Sequence, residues 1–242
     1  MTALDHFFFV VFPYIALVVL PVVAIYRYRS SSFGYSSLSS QFLEGKRGFW
    51  GSVPFHWAIL MLFLGHLFMF LFPEGVLLWN SDPVRLIAHE TVAFTFGMVA
   101  LVGLLILIVR RLSTARLRVV TTRMDLFIEL LLLAQIFLGC WIALGYRWGS
   151  SWFAADLSPY LWSIFKLAPQ TDAVNAMPLV IKLHIVGAFL IFLLIPFSRL
   201  VHFLVAPFHY IWRPYQVVIW YWDRKRIRHP DTAWAEIRPR NH

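Results

Sequence analysis

Four of the nine histidines in this 242-residue chain lie inside long apolar runs or at their edges: His56, His66, His184 and His202. An ionisable side chain at membrane depth is expensive and usually functional. One such histidine would more often be a simple hydrogen-bonding residue. Four, two on each of two runs, point to ligation. His56 and His66 are ten residues apart, about 15 Å along a helix. His184 and His202 are eighteen apart, about 27 Å and a whole number of turns, so on a continuous helix they face the same way. If the two helices run antiparallel, His66 pairs with His184 and His56 with His202. Each pair can clamp one flat macrocycle, as two axial imidazoles hold a b-type haem. The two spans differ by about 12 Å, which tilt and a kink at Pro196 must absorb.

Other chemistries fit these residues less well. A zinc site needs ligands converging on one point, which two pairs stacked along a membrane normal do not provide. A proton relay normally includes Asp or Glu beside the histidines. The acids in or near the apolar runs are Glu90, Asp125 and Glu129, none close in sequence to the second or fifth run. Two bis-histidine haems b, carrying electrons across the bilayer one at a time, are the expected cofactors. Filled axial positions disfavour oxygen chemistry. Gly65 and Gly187 adjoin the histidines, and either close helix packing or close approach of a macrocycle would call for a small residue there. Propionates need cations: Arg110, Arg111 and Arg199 are candidates, with Arg111 and Arg199 foremost, though orienting charge explains them equally well.

The elements that must position these side chains follow from composition. The chain is 60% hydrophobic and 14% charged, with a mean hydropathy of +0.70. Soluble domains are about 25% charged. The apolar residues form continuous runs, not periodic stripes, which excludes an ordinary soluble fold. Five runs are long enough to cross a bilayer, at about residues 7–26, 53–72, 86–109, 126–146 and 179–205. The expected fold is an all-α integral membrane protein with five transmembrane helices. Residues 1–214 form the expected membrane domain and 215–242 a basic cytoplasmic tail. Asp5 and the lack of Lys or Arg before it speak against a signal peptide. The lone Cys140 excludes an intrachain disulfide and a cysteine-built cluster.

The net charge of +9 does not indicate nucleic acid, because Lys and Arg occupy the gaps between apolar runs. Seventeen of the 21 fall on one side: Arg27, Arg29, Lys46 and Arg47, then the cluster from Arg110 to Arg123, then Arg199 and the tail. The other side holds Arg85, Arg147, Lys166 and Lys182. The positive-inside rule places the N-terminus outside and the C-terminus in the cytoplasm of a multi-pass protein of the cytoplasmic (inner) membrane. His66 and His184 are then the outer pair and His56 and His202 the inner pair. The outer segment 147–178 is rich in aromatic residues and is expected to lie in the interface.

Several blocks resemble one family. These are Phe7-Phe8-Phe9 with Pro13-Tyr14-Ile15-Ala16, Ser39-Ser40-Gln41, Phe55-His56 to Gly65-His66, Arg110-Arg111-Leu112 with Thr121-Thr122, Leu183-His184 through Pro196-Phe197-Ser198-Arg199-Leu200 to His202, and Pro214-Tyr215-Gln216. The sequence closely resembles the gamma, or cytochrome b, subunit of membrane-bound respiratory nitrate reductase over nearly its whole length. The resemblance implies a quinol-oxidising subunit in which His66 and His184 bind a distal haem and His56 and His202 a proximal one. It also implies an iron–sulfur beta subunit on the inner face, feeding a molybdenum alpha subunit. Family members can use a lysine in the loop before the third helix as part of the quinol site. Here Arg85 stands at the comparable position, and Arg does not titrate as Lys does. His89, one turn on, is the candidate acid/base, since quinol oxidation releases two protons and imidazole titrates in range. Competing readings are a cytochrome b of another molybdenum oxidoreductase (nitrite oxidation included), a hydrogenase or formate dehydrogenase cytochrome, and a histidine-bearing transporter. The transporter reading lacks the inverted repeat common in that class.

Overall fold

A computed structural model describes residues 2–30 and 46–204 of the chain. The tail from Tyr215, the expected boundary at residue 214, and the blocks Ser39–Gln41 and Pro214–Gln216 lie outside the described residues. Five helices are long and apolar enough to cross a membrane, as expected, and the described residues contain no strand. Their outward faces carry large apolar side chains, such as Val18 at 59% exposure and Leu130 at 58%. Such a surface suits a hydrocarbon solvent and not water.

The first four helices begin before the apolar runs that foretold them, and polar caps start the first, third and fourth. The first helix, Ala3–Ser30, starts at a capping box. Thr2 Oγ1 accepts from the Asp5 N–H, and the Asp5 carboxylate accepts from the Thr2 N–H, both at 3.1 Å. This satisfies amides that would otherwise be orphaned at the helix start. The second helix is Lys46–Leu71, and the short helix Pro73–Trp79 follows it. The third, Pro83–Ser113, is capped by Asp82, which accepts from Val84 N at 2.9 Å and Arg85 N at 3.0 Å. Pro83 at its first position needs no N–H partner. The fourth, Arg123–Gly145, opens with a second capping box, between Thr122 and Asp125.

The fifth helix departs from expectation. It is α-helical only over Leu179–Leu194, then tightens to a 3₁₀ turn at Ile195–Phe197. It breaks at Ser198, which is extended (φ −116°, ψ 178°), and resumes as a second 3₁₀ turn, Arg199–Phe203. Pro196 lacks an N–H and cannot continue the ladder. Beyond it the ladder is broken at Ser198, whose hydroxyl accepts from Leu200 N, and the Pro196 carbonyl accepts a hydrogen bond from Arg27 Nη1 of the first helix. The eighteen-residue spacing therefore does not make His184 and His202 share one helix face. The break, not a kink in a continuous helix, sets their relation.

The helices pack in a chain: second on third, third on fourth, fourth on fifth, fifth on first. The second–third contact is tightest, because glycines let the backbones meet. A Cβ on Gly103 would stand 3.0 Å from Phe55 Cβ and 3.1 Å from the Gly51 carbonyl oxygen. The second and fifth helices, which carry the four histidines, are not a closely packed pair.

Segment 149–176 is packed down onto the helices. Tyr160, Ile164 and Val174 are at most 1% exposed. The Tyr160 hydroxyl donates to the Phe9 carbonyl at 2.8 Å, and Tyr14 donates to the Ile164 carbonyl at 3.0 Å. Ser158 and Trp162 both donate to the Phe70 carbonyl, at the end of the second helix. Ser158, Tyr160 and Trp162 thus tie this segment down as a cap over the first and second helices.

Candidate functional site

Histidine orientation is set by the helices themselves. Each Nδ1–H can donate to a carbonyl three or four residues back, which leaves Nε2 to act outward. His56 donates to Ser52 O at 2.7 Å, His66 to Leu62 O at 2.7 Å, and His202 to Arg199 O at 2.6 Å. His56 and His66 are exposed on the second helix, so neither is a core histidine satisfied by its surroundings.

The structure brings His56 and His202 together across the gap between the second and fifth helices. Their ring centres are 6.3 Å apart, at 61° to each other. Two imidazoles on opposite faces of one metal, each nitrogen about 2 Å from it, have ring centres about 6 Å apart. The pair therefore fits a bis-imidazole iron, and Phe63 and Phe203 stack edge-on beside it at 5.2 Å. The other pair is less symmetrical. His66 packs edge-on against Phe153 of the cap, 5.6 Å between centres. The His184 ring rests on Gly139 of the fourth helix: a Cβ there would stand 3.2 Å from its Cε1. Its Nδ1 is buried without a partner, an orphan suited to a ligating ring.

Gly65 is open, with nothing near the position a Cβ would take. Gly187 is not open. It makes room for the carboxamide of Gln135, whose Nε2 donates to the His184 carbonyl at 2.8 Å. Gly187 therefore serves helix packing and not a macrocycle.

The two foremost arginines are already paired. Arg111 Nε lies 2.7 Å from Glu129 Oε1. Arg199 Nε lies 3.2 Å from Asp125 Oδ1, and its Nη2 donates to the Val120 carbonyl at 2.9 Å. Asp125 and Glu129 are distant in sequence from the second and fifth helices, yet Asp125 sits against Arg199, three residues before His202. Among the described residues, Glu129 Oε2 and Arg199 Nη1 are buried and unpartnered, and Arg199 Nη1 is a donor that could meet an anionic group. The i, i+4 spacing of Asp125 and Glu129 placed them on one helix face, but only the fold reveals what that face meets.

Arg85 and His89 come together at the opposite end. They line a cleft of about 370 Å³ with Phe68, Val76, Trp79, Ala88 and Val92. The Arg85 guanidinium lies over the Trp79 ring, 5.1 Å from its centre. Phe68 is two residues beyond His66 on the second helix, so the cleft lies about level with His66, though Phe68 points to another face of the helix. Asn80, which the sequence reading did not single out, faces His89 Nδ1 at 3.3 Å.

Five helices long and apolar enough to cross a membrane, with His56 and His202 facing each other across a gap, define a multi-pass helical membrane protein. The profile of the nitrate reductase gamma subunit family matches residues 5–221. The chain is 34% identical to the nitrate reductase gamma chain of Bacillus subtilis over 211 residues, 86% of this chain and 94% of that one. It is 34% identical to the respiratory nitrate reductase 2 gamma chain of Escherichia coli over 223 residues, 89% of this chain and 96% of that one. With the respiratory nitrate reductase 1 gamma chain of the same organism the identity is 31%, over 90% of this chain and 98% of that one. The chain belongs to the nitrate reductase gamma subunit family, the membrane subunit of an oxidoreductase complex.

Proposed function

We propose that this chain is the dihaem b anchor of a respiratory nitrate reductase, oxidising quinol at the aromatic-capped end and passing electrons to a partner at the arginine-rich end. The observation that carries this reading is the 6.3 Å spacing of the His56 and His202 rings between helices that are not a closely packed pair. His56 and His202 would hold one haem, and His66 and His184 the other. Bound between these imidazoles, haem b would supply one-electron transfer, so the two electrons that a quinol gives up with its two protons would leave one at a time.

The chain's own residues do the rest. Helix carbonyls fix the ring tautomers of His56, His66 and His202, so each presents Nε2. Arg85 and Trp79 form the polar and stacking walls of the cleft, and His89 stands within it to take a hydroxyl proton. The uneven distribution of Lys and Arg supports an arginine-rich face in the cytoplasm. Protons would then be released outside and electrons sent inward, to an iron–sulfur beta subunit and through it to a molybdenum alpha subunit. Quinol oxidised at the outer face while nitrate is reduced inside adds to the membrane potential.

The test is spectral. The chain, purified with its partners and supplied with haem, should show two low-spin b haems by pyridine haemochrome and difference spectrum. His66→Ala and His202→Ala should each lose chiefly one haem. A colourless wild-type protein would overturn the reading.

A further inference from the structure

The cleft end contains a hydrogen-bond chain across three elements that the quinol reading does not use. It begins at Glu90, whose Oε1 accepts from Ser150 N at 2.8 Å and from the Ser150 hydroxyl at 2.5 Å. Ser150 Oγ lies 2.9 Å from Asn80 Nδ2, and Ser151 Oγ lies 3.0 Å from the same atom. Asn80 Oδ1 faces His89 Nδ1 at 3.3 Å. Asn80 and Ser150 are each 7% exposed, so water does not compete for these groups.

The direction of the chain is forced. The single hydroxyl hydrogen of Ser150 is committed to the Glu90 carboxylate, so Ser150 Oγ can offer Asn80 only a lone pair. The Asn80 group beside it must therefore be the NH₂, and both amide hydrogens are used, one on each serine. That turns the amide oxygen to His89, and an oxygen can only accept. His89 must then carry a proton on Nδ1, so in the neutral ring Nε2 is the unprotonated nitrogen. We infer that Asn80, held by Ser150 and Glu90, is a positioning residue that locks His89 in the Nδ1–H tautomer and leaves Nε2 as the proton acceptor of the cleft. The step is a proton transfer: the quinol O–H bond breaks, an Nε2–H bond forms, and the imidazolium charge is stabilised by the amide oxygen on its other side. The inference rests on the cleft being the quinol site.

The test uses the assembled complex and a short-chain quinol, with haem reduction followed in a stopped-flow spectrophotometer. Dithionite-reducible haem reports that each variant is folded and loaded. A positioned base contributes about 10²–10⁴-fold. Asn80→Leu, which leaves the base but releases its orientation, should slow haem reduction by about tenfold at saturating quinol, with the half-saturating quinol concentration little changed. Asn80→Asp keeps an acceptor toward Nδ1 and should restore most of the rate. Should Asn80→Leu lose haem, Ser150→Ala replaces it, with the same expected slowing. Wild-type speed in His89→Ala would overturn the reading of the cleft itself. A slow His89→Ala with a wild-type Asn80→Leu would overturn only the positioning role. So would an Asn80→Asp as slow as Asn80→Leu with haem intact, since that pattern reports packing.

Discussion

Replacing Asp125 with Asn isolates the ion pair that fastens the broken end of the fifth helix. Asn keeps an oxygen for the Thr122 N–H, which Asp125 now accepts at 2.8 Å, so the helix cap survives while the charge is lost. At 3.2 Å, two unit charges attract by about 5 kcal/mol at an effective dielectric near 20. Asp125 is 7% exposed but Arg199 31%, so solvent screens one partner and its desolvation cost is only partly incurred. The net loss expected for Asp125→Asn is therefore about 1–3 kcal/mol, below the 3–5 kcal/mol of a fully buried broken pair. Its effect should be local, since Arg199 opens the last 3₁₀ turn and its carbonyl accepts from His202 Nδ1 at 2.6 Å. Equilibrium unfolding in mixed micelles measures the loss, and haem quantification shows whether the His56–His202 site empties before the other. Thr122→Ala serves as comparison, because it removes a cap hydrogen bond and leaves the pair. If Asp125→Asn unfolds with the wild type and keeps both haems, the pair does not hold the His202 segment and the reasoning fails.

Gly139→Val puts branched carbon where the His184 ring now rests, 3.2 Å from the first atom added; difference spectra should show loss of the His66–His184 haem with the other retained. Gly103→Leu drives a side chain into Phe55 and the Gly51 carbonyl and should lower stability by about 1–3 kcal/mol or more, read by thermal melting in detergent. Tyr160→Phe removes the buried bond to the Phe9 carbonyl and should lower stability by about 1 kcal/mol at neutral pH. Burial pushes the Tyr160 phenol well above its ordinary value. Its contribution is therefore complete below about pH 10, where the unfolded phenol titrates, and is lost as pH rises further. Melting curves of wild type and Tyr160→Phe should converge at strongly alkaline pH.

The sequence by itself determined the medium and the number of crossings. Twenty-residue apolar runs have one stable solution in a bilayer, since only a helix satisfies its own backbone there. Histidines within such runs were visible as chemistry because hydrocarbon makes them costly. Helix ends were legible only to within a few residues, because caps such as Thr2–Asp5 and Asp82 prolong a helix beyond its apolar part. What ran between the histidines of the fifth helix was not legible. Counting residues presumes a continuous ladder, and Pro196 with Ser198 interrupts it in a way settled by Arg27 from another helix. Charge partners were hidden for the same reason. From the sequence Arg111 and Arg199 are candidate propionate contacts or orienting charges, and the acids that meet them, Glu129 and Asp125, lie 18 and 74 residues away in the chain. Arg85 and His89, one helical turn apart, were legible as a pair. Asn80 was not, because its role depends on serines some 70 residues further on. Local spacing fixes what one helix can present, and tertiary packing decides what it meets.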